Sequence, residues 1–281
     1  MRLKKGDSMM TKDALLAYRT YKDNYQVEKD YIQDLLLYHV YVNSSNEMVL
    51  KGGTAFSKFY SSDRFSEDLD FTISDGVDRP VEFSKSVIGK AVEKLEYKHS
   101  YKEKPHSNEY GTVLSTISVE GPRYNGKEST LQQISFEIST TGKLYLGRDA
   151  LPRNPVYADA RPYVALVMKR EEILAEKIRA LMSQKRKHRE RDLYDIYFFL
   201  GKGTAANKEI VNKKLLEADI EPSMEVFEKA IKDVEGKWES LEPMVQHRLE
   251  DFSYVSATMF SISLLLSSEK RIALESPVSA R

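Results

Sequence analysis

The sequence predicts an α+β protein: a mixed sheet flanked by helices in the first half, followed by a helical C-terminal lobe. Three observations carry this. Runs of strand length at Met48-Val49-Leu50, Asp68 to Ile73, Thr112 to Val119 and Gln132 to Ser139 are separated by segments of helical spacing. From Met168 onward the apolar residues recur at helical intervals instead. With 281 residues the chain exceeds what one small core needs, so two lobes are expected, 1–150 and 151–281.

Leu15, Leu16, Tyr25, Val27, Tyr31, Leu35, Leu36 and Val40 recur at mostly helical intervals, placing helices between Thr11 and Val42, with a polar break at 43–46. Met48 to Leu50 is a short strand running into Gly52-Gly53, and Thr54 to Tyr60 reads as one or two turns of helix. A polar loop, Ser61 to Glu67, leads to Asp68-Leu69-Asp70-Phe71-Thr72-Ile73, which alternates with period two and ends at the turn signal Asp75-Gly76. Pro80 occupies a helix N1 position, and Phe83, Val87, Ile88, Val92 and Leu95 form one stripe behind it. Strands follow at Tyr97 to Tyr101, Thr112 to Val119 and Gln132 to Ser139. Gly142 to Tyr163, with three prolines and two glycines, is expected to connect the lobes. Beyond it, helices are expected over Met168 to Gln184, Arg191 to Leu200, Lys208 to Ala218, Met224 to Leu241 and Phe252 to Leu266.

Composition narrows the function. Lys plus Arg and Asp plus Glu number 43 each, so no global field recruits nucleic acid or acidic lipid, and a polyanion must be met by a local patch. The chain has no cysteine, hence no disulfide, thiolate metal site or cysteine nucleophile, and a reducing cytoplasm is its expected location. The basic amino-terminal stretch Met1 to Lys12 leads into no apolar core of a signal peptide, and Phe252 to Ser268 carries six serines, so no membrane association is expected. The five histidines lack metal spacing, and no phosphate-binding P-loop or Gly-x-Ser-x-Gly motif occurs.

The chemistry concentrates at Asp68-Leu69-Asp70. Carboxylates at i and i+2 of a strand point to one face while Leu69 points to the other. Side by side they repel unless a divalent cation neutralises them, and hard oxygen donors suit Mg²⁺ or Mn²⁺; a solvated strand end has the same pattern. The upstream context favours the site. Glycines at Gly52 and Gly53 let backbone N–H groups approach a phosphate, and the helix opening at Thr54 adds partial positive charge. An ordinary tight turn is the alternative. In Ile134-Ser135-Phe136-Glu137-Ile138 alternation puts Glu137 opposite the apolar face, where it could join Asp68 and Asp70 as a third metal carboxylate, or simply face solvent.

Lys51-Gly52-Gly53-Thr54-Ala55-Phe56-Ser57-Lys58-Phe59-Tyr60 followed by Arg64-Phe65-Ser66-Glu67-Asp68-Leu69-Asp70-Phe71 closely resembles the signature of the AbiEii/AbiGii-type toxins. These are nucleotidyltransferase-like proteins of type IV toxin–antitoxin and abortive-infection systems, related to the MenT toxins. A second stretch also resembles that family: Glu172 to Leu181, followed by Arg191-Asp192-Leu193-Tyr194-Asp195-Ile196-Tyr197. The resemblance implies a polymerase-β-like nucleotidyltransferase core, an NTP substrate, metal carboxylates at Asp68 and Asp70, a functional lysine at Lys177 and a further aspartate at Asp195. It assigns Gly52, Gly53, Thr54, Ser66 and Lys177 to nucleotide binding. It also implies transfer of an NMP to an RNA, possible at the tRNA acceptor end, or to a protein hydroxyl, with growth arrest as the outcome and an antitoxin encoded nearby. A nucleotide-binding regulator without turnover and a kinase-like phosphotransferase are the alternatives.

The second stretch also has a reading of its own. Lys177 borders the stripe of Leu174, Ile178 and Leu181, where an amine can leave the core and reach a cleft between lobes to clamp a triphosphate. Asp195 shares its helix face with Phe198 and Phe199 and so needs a partner, which Arg191 or Lys177 can supply. An ion pair joining two helices and direct catalysis both account for it. Lys185-Arg186-Lys187-His188-Arg189-Glu190-Arg191 is the densest basic run, a solvated loop or a contact for RNA or nucleotide phosphates.

Overall fold

The computed structural model describes residues 9–44, 47–104 and 111–267; the basic stretch before Met9 and the break at 45–46 lie outside the described residues. The chain divides into two compact units, Met1–Lys169 with Pro243–His247, and Arg170–Glu242 with Arg248–Arg281.

The first unit contains α1 (Lys12–Leu16), α2 (Asn24–Asn43), β1 (Met48–Lys51), α3 (Gly52–Phe59), β2 (Leu69–Ile73), α4 (Pro80–Glu93), β3 (His99–Glu103), β4 (Thr112–Val119), β5 (Gln132–Ser139), β6 (Arg148–Arg153) and β7 (Tyr163–Met168). Its seven-stranded sheet runs β3-β4-β5-β2-β1-β7-β6. The expected mixed character is present: β1 is antiparallel to β2 and parallel to β7, and β2 is parallel to β5. β4 and β5 follow the alternation of their sequences, with Val113, Ile117 and Val119 and then Ile134, Phe136 and Ile138 buried on one face. β1 opens with three apolar residues because it lies inside the sheet, with Met48, Val49 and Leu50 all fully buried.

In this unit one segment differs from expectation and one feature goes beyond it. The segment 142–163 is not a bare connection, because Arg148–Arg153 forms β6, paired antiparallel with β7. Its proline and charges disguised it, yet β6 is an edge strand, where Pro152 costs no ladder bond on the open side. α2 is also buried nearly all round: Glu28, Gln33 and Asp34 are at most 1% exposed, so a helix with many charged letters runs through the core.

The second unit contains α5 (Arg170–Met182), α6 (Arg189–Gly201), α7 (Lys208–Leu216), α8 (Met224–Lys232), a 3-10 stretch (Glu235–Met244), α9 (Phe252–Thr258) and α10 (Phe260–Ser267). The helix expected over 224–241 ends early, at Lys232, and the chain tightens into the 3-10 stretch around Gly236 and Pro243. The helix expected over 252–266 breaks at Met259, one residue after Thr258, whose hydroxyl bonds back to the Val255 carbonyl at 2.7 Å. Trp238 packs against Tyr194 and Phe252 and donates from Nε1 to the Glu250 carbonyl at 2.8 Å. Among the described residues no helix is long and apolar enough to cross a membrane.

Candidate active site

β1 passes into α3 with no intervening residue, and the turn depends on Gly52, whose φ is +68°. A Cβ there would collide with the Asp70 carboxylate, so both the dihedral and the close approach require glycine. A Cβ on Gly53 would stand 2.6 Å from Ser66 Oγ and 2.9 Å from Arg64 Nη2. Gly53 therefore presses against the loop that carries Arg64 and Ser66, and Gly52 against Asp70 of β2. Lys51, the N-cap of α3, provides no side-chain cap, so the first-turn N–H groups are not closed off from that side. Thr54 is fully buried, and its hydroxyl donates to the Asp68 carbonyl at 2.5 Å. That bond ties the start of α3 to the residue preceding β2.

The carboxylates follow from strand register. Lys51 pairs with Asp70 across β1 and β2, and Asp70 pairs with Glu137 across β2 and β5. Directly paired residues project to one face, so Asp70 and Glu137 emerge together while Leu69 and Phe71 fill the core beneath. Asp68 is exposed one residue before β2, Asp70 is half-buried and Glu137 is exposed. Among the described residues no group of three His, Cys, Asp or Glu side chains is gathered closely enough to hold a metal by itself.

Residues to which the sequence assigns no role in the site hold this arrangement. Gln33 of α2, 1% exposed, donates from Nε2 to the carbonyls of Ser66 (3.0 Å) and Glu67 (3.1 Å), fixing the approach to Asp68. Lys58, at the far end of α3, reaches Asp30 Oδ1 at 2.6 Å and Asp34 Oδ1 at 3.3 Å. Arg153 completes the cluster, with Nη2 3.0 Å from Asp34 Oδ2, while Tyr157 donates to Asp30 at 2.7 Å and Tyr163 to Asp34 at 2.9 Å. Burial alone would raise the Asp34 carboxyl, but the charges of Lys58 and Arg153 and the hydrogen bonds from Arg153 and Tyr163 outweigh it and hold it below the ordinary range. Burial, then the neighbouring aspartates, pushes the Tyr157 and Tyr163 hydroxyls well above the usual tyrosine value.

In the second unit Lys177 is 7% exposed, and its Nζ lies 3.0 Å from Asp192 Oδ1 and 2.8 Å from Asp195 Oδ2, both carboxylates being fully buried. The partner that Asp195 needed is thus Lys177, and α5 and α6 are joined through it. Asp192 is the residue that motif reading passed over; it also takes Arg186 Nε at 2.6 Å. Within the basic run Arg189 pairs with Asp233 at 3.2 Å, whereas Lys185 and Lys187 are exposed.

A family model described as nucleotidyl transferase AbiEii toxin, type IV TA system, matches residues 35–257. Among solved structures, JHP933 from Helicobacter pylori is similar with a TM-score of 0.51 at 15% identity, over 88% of this chain and 93% of its own. A candidate nucleotidyltransferase from H. pylori is similar with a TM-score of 0.53 at 15% identity, over 87% of this chain and 95% of its own. No match is found among curated proteins. At such identity the structural likeness speaks for the fold, an α+β nucleotidyltransferase fold.

Proposed function

The chain belongs to the AbiEii nucleotidyltransferase toxin family of type IV toxin–antitoxin systems, and on that premise we propose that it moves an NMP from a Mg²⁺-bound NTP to an RNA hydroxyl, with the tRNA acceptor end as target, to arrest growth. The acceptor oxygen bonds to the α-phosphorus, the bond from that phosphorus to the bridging oxygen breaks, and pyrophosphate leaves. The family implies an antitoxin partner, and the reading places the protein in the cytoplasm.

The observation that carries the proposal is the seat of Asp70: half-buried, beside Gly52 where no Cβ fits, and on one sheet face with Glu137. This donor set fits a divalent ion of the Mg²⁺ type, which takes one or two carboxylates and completes its shell with phosphate oxygens and water. Asp68 and Asp70 would hold it. Bound there, the ion supplies charge neutralisation and orientation of the phosphates. Gly52 and Gly53 offer backbone N–H groups to the phosphates, and Ser66 adds a hydroxyl beside them. Thr54 acts through Asp68, by the bond from its hydroxyl to that residue's carbonyl. Glu137 takes the acceptor proton or joins the metal ligands. In the helical unit Lys177, whose amine Asp192 and Asp195 orient, is the lysine that the family resemblance makes functional.

The test uses NTPs labelled at the α- or the γ-phosphate, with separated RNA and protein fractions as acceptors. Transfer of α-label to RNA, lost by about 10³-fold or more in Asp68→Ala/Asp70→Ala, is expected. Equal labelling by both proteins, γ-label in the product, or Mg²⁺-dependent NTP binding without transfer overturns the proposal.

A further inference from the structure

The loop from Ser61 to Asp68 has no regular structure, yet it presents Arg64 and Ser66 to Gly53 and delivers Asp68 to β2. Its later half is held by Gln33 and Thr54. Its earlier half is held from much farther along the chain. Pro243–His247 lies in sequence between two parts of the helical unit but belongs to the first unit. There it runs antiparallel to the loop: Phe65 donates its N–H to the Met244 carbonyl at 2.7 Å, Gln246 donates its N–H to the Asp63 carbonyl at 3.0 Å, and Arg64 and Val245 pair between them. Arg64, Phe65 and Val245 are all at most 4% exposed, so the pairing is backed by buried residues on both segments.

The segment is itself fastened. Gln26 Nε2 donates to the Pro243 carbonyl at 3.0 Å, Lys22 Nζ to the His247 carbonyl at 3.4 Å, and His247 Nδ1 meets Asp63 Oδ2 at 2.9 Å. We infer that Pro243–His247 is a positioning strap for the nucleotidyl-transfer site, setting where Arg64 and Ser66 meet Gly53 and where Asp68 enters β2. This rests on the transferase reading of the same site. Strand pairing fits the role, because it fixes register through backbone groups whatever the side chains are. A loop that bears the site residues Ser66 and Asp68 and belongs to no helix or strand takes its geometry from the groups it is tied to.

The experiment separates a positioning role from a merely structural one. Gln246→Pro removes the N–H given to Asp63, whereas Gln246→Ala keeps it. Gln26→Leu releases the Pro243 carbonyl without touching the strap or the loop. For each variant kcat and KM for the NTP are measured together with amide hydrogen exchange of residues 61–70 by mass spectrometry. Gln246→Pro is expected to lower kcat on the order of 10²-fold with KM within about threefold, and to speed exchange in 61–70 about tenfold or more. Gln246→Ala restores wild-type values, and Gln26→Leu moves both readouts the same way by less. Should Gln246→Pro fail to fold, Gln26→Leu decides alone. Unchanged exchange in 61–70, or faster exchange with wild-type kcat, overturns the strap. A wild-type chain that transfers no nucleotide overturns the transferase reading instead, and the exchange arm then decides whether the strap holds the loop.

Discussion

Gly52 and Gly76 both sit at positive φ, +68° and +87°, but only Gly52 has a neighbour in the space a Cβ would take. The pair separates the two reasons for a glycine. Gly76→Ala incurs only the left-handed backbone penalty, about 1–2 kcal/mol, and leaves the site intact. Gly52→Ala adds a collision with the Asp70 carboxylate, which must turn away from its seat. The expected outcome is a comparable loss of stability in the two variants by urea unfolding, with nucleotidyl transfer reduced on the order of 10²-fold in Gly52→Ala alone. Equal activities would show that the close approach has no bearing on the chemistry. Gly52, Gly53, Asp68 and Asp70 were legible in sequence because their residue types are dictated by the local backbone and by charge. The parts played by Gln33 and, although both stand in the stretches that resemble the family, by Arg64 and Asp192 were not, since a buried polar group acquires its meaning only from the group the fold sets opposite it.

Among the elements, α2 and α3 show how a site is supported from behind. Lys58 is anchored to Asp30 and Asp34 of α2, and Arg153 of β6 closes the cluster, so the helix that opens at Gly52 is fixed at its other end by a buried ion network. Removing one partner from such a network leaves charge buried without compensation, and Lys58→Met is expected to cost about 3–5 kcal/mol. The sign of the pH dependence follows from Asp34, whose folded pKa is lowered. A depressed carboxyl contributes stability that is fully present above the unfolded value of about 3.9 and is lost as pH falls through the folded one. The stability gap between wild type and Asp34→Asn, read from urea midpoints, should therefore be constant from about pH 7 to 5 and shrink below about pH 4. A gap that widened on acidification would contradict this account. Most elements were legible from apolar spacing. β6 is the exception, an edge strand with little apolar signal; α2 was legible as a helix, but not the burial of its charges, which the network satisfies.

At the scale of the whole molecule the charges cancel, 43 against 43, which leaves any RNA contact to a local group of cations. The densest basic run in the sequence, 185–191, is the candidate for that group, and the structure divides it: Arg186 and Arg189 are engaged with Asp192 and Asp233, while Lys185 and Lys187 are exposed. What the sequence did not disclose at this scale is membership, since Pro243–His247 reads as part of the helical half and folds with the sheet. Hydrogen-bond partners this far apart in sequence leave no periodic trace. The charge division has a measurable consequence. Each phosphate neutralised contributes about 0.7–0.9 to the slope of log affinity against log salt, so a contact built on two to four cations gives a slope between about −1.5 and −3.5. Lys185→Glu/Lys187→Glu should bring the slope toward zero by about 1.5 and weaken binding to the same extent across RNA sequences, because phosphate contacts carry no base information. Filter binding of wild type and variant to two unrelated tRNAs between about 50 and 200 mM salt measures this. An unchanged slope in the variant would exclude the loop as the RNA contact, and a wild-type slope steeper than about −6 would mean that a surface much larger than this loop engages the polyanion.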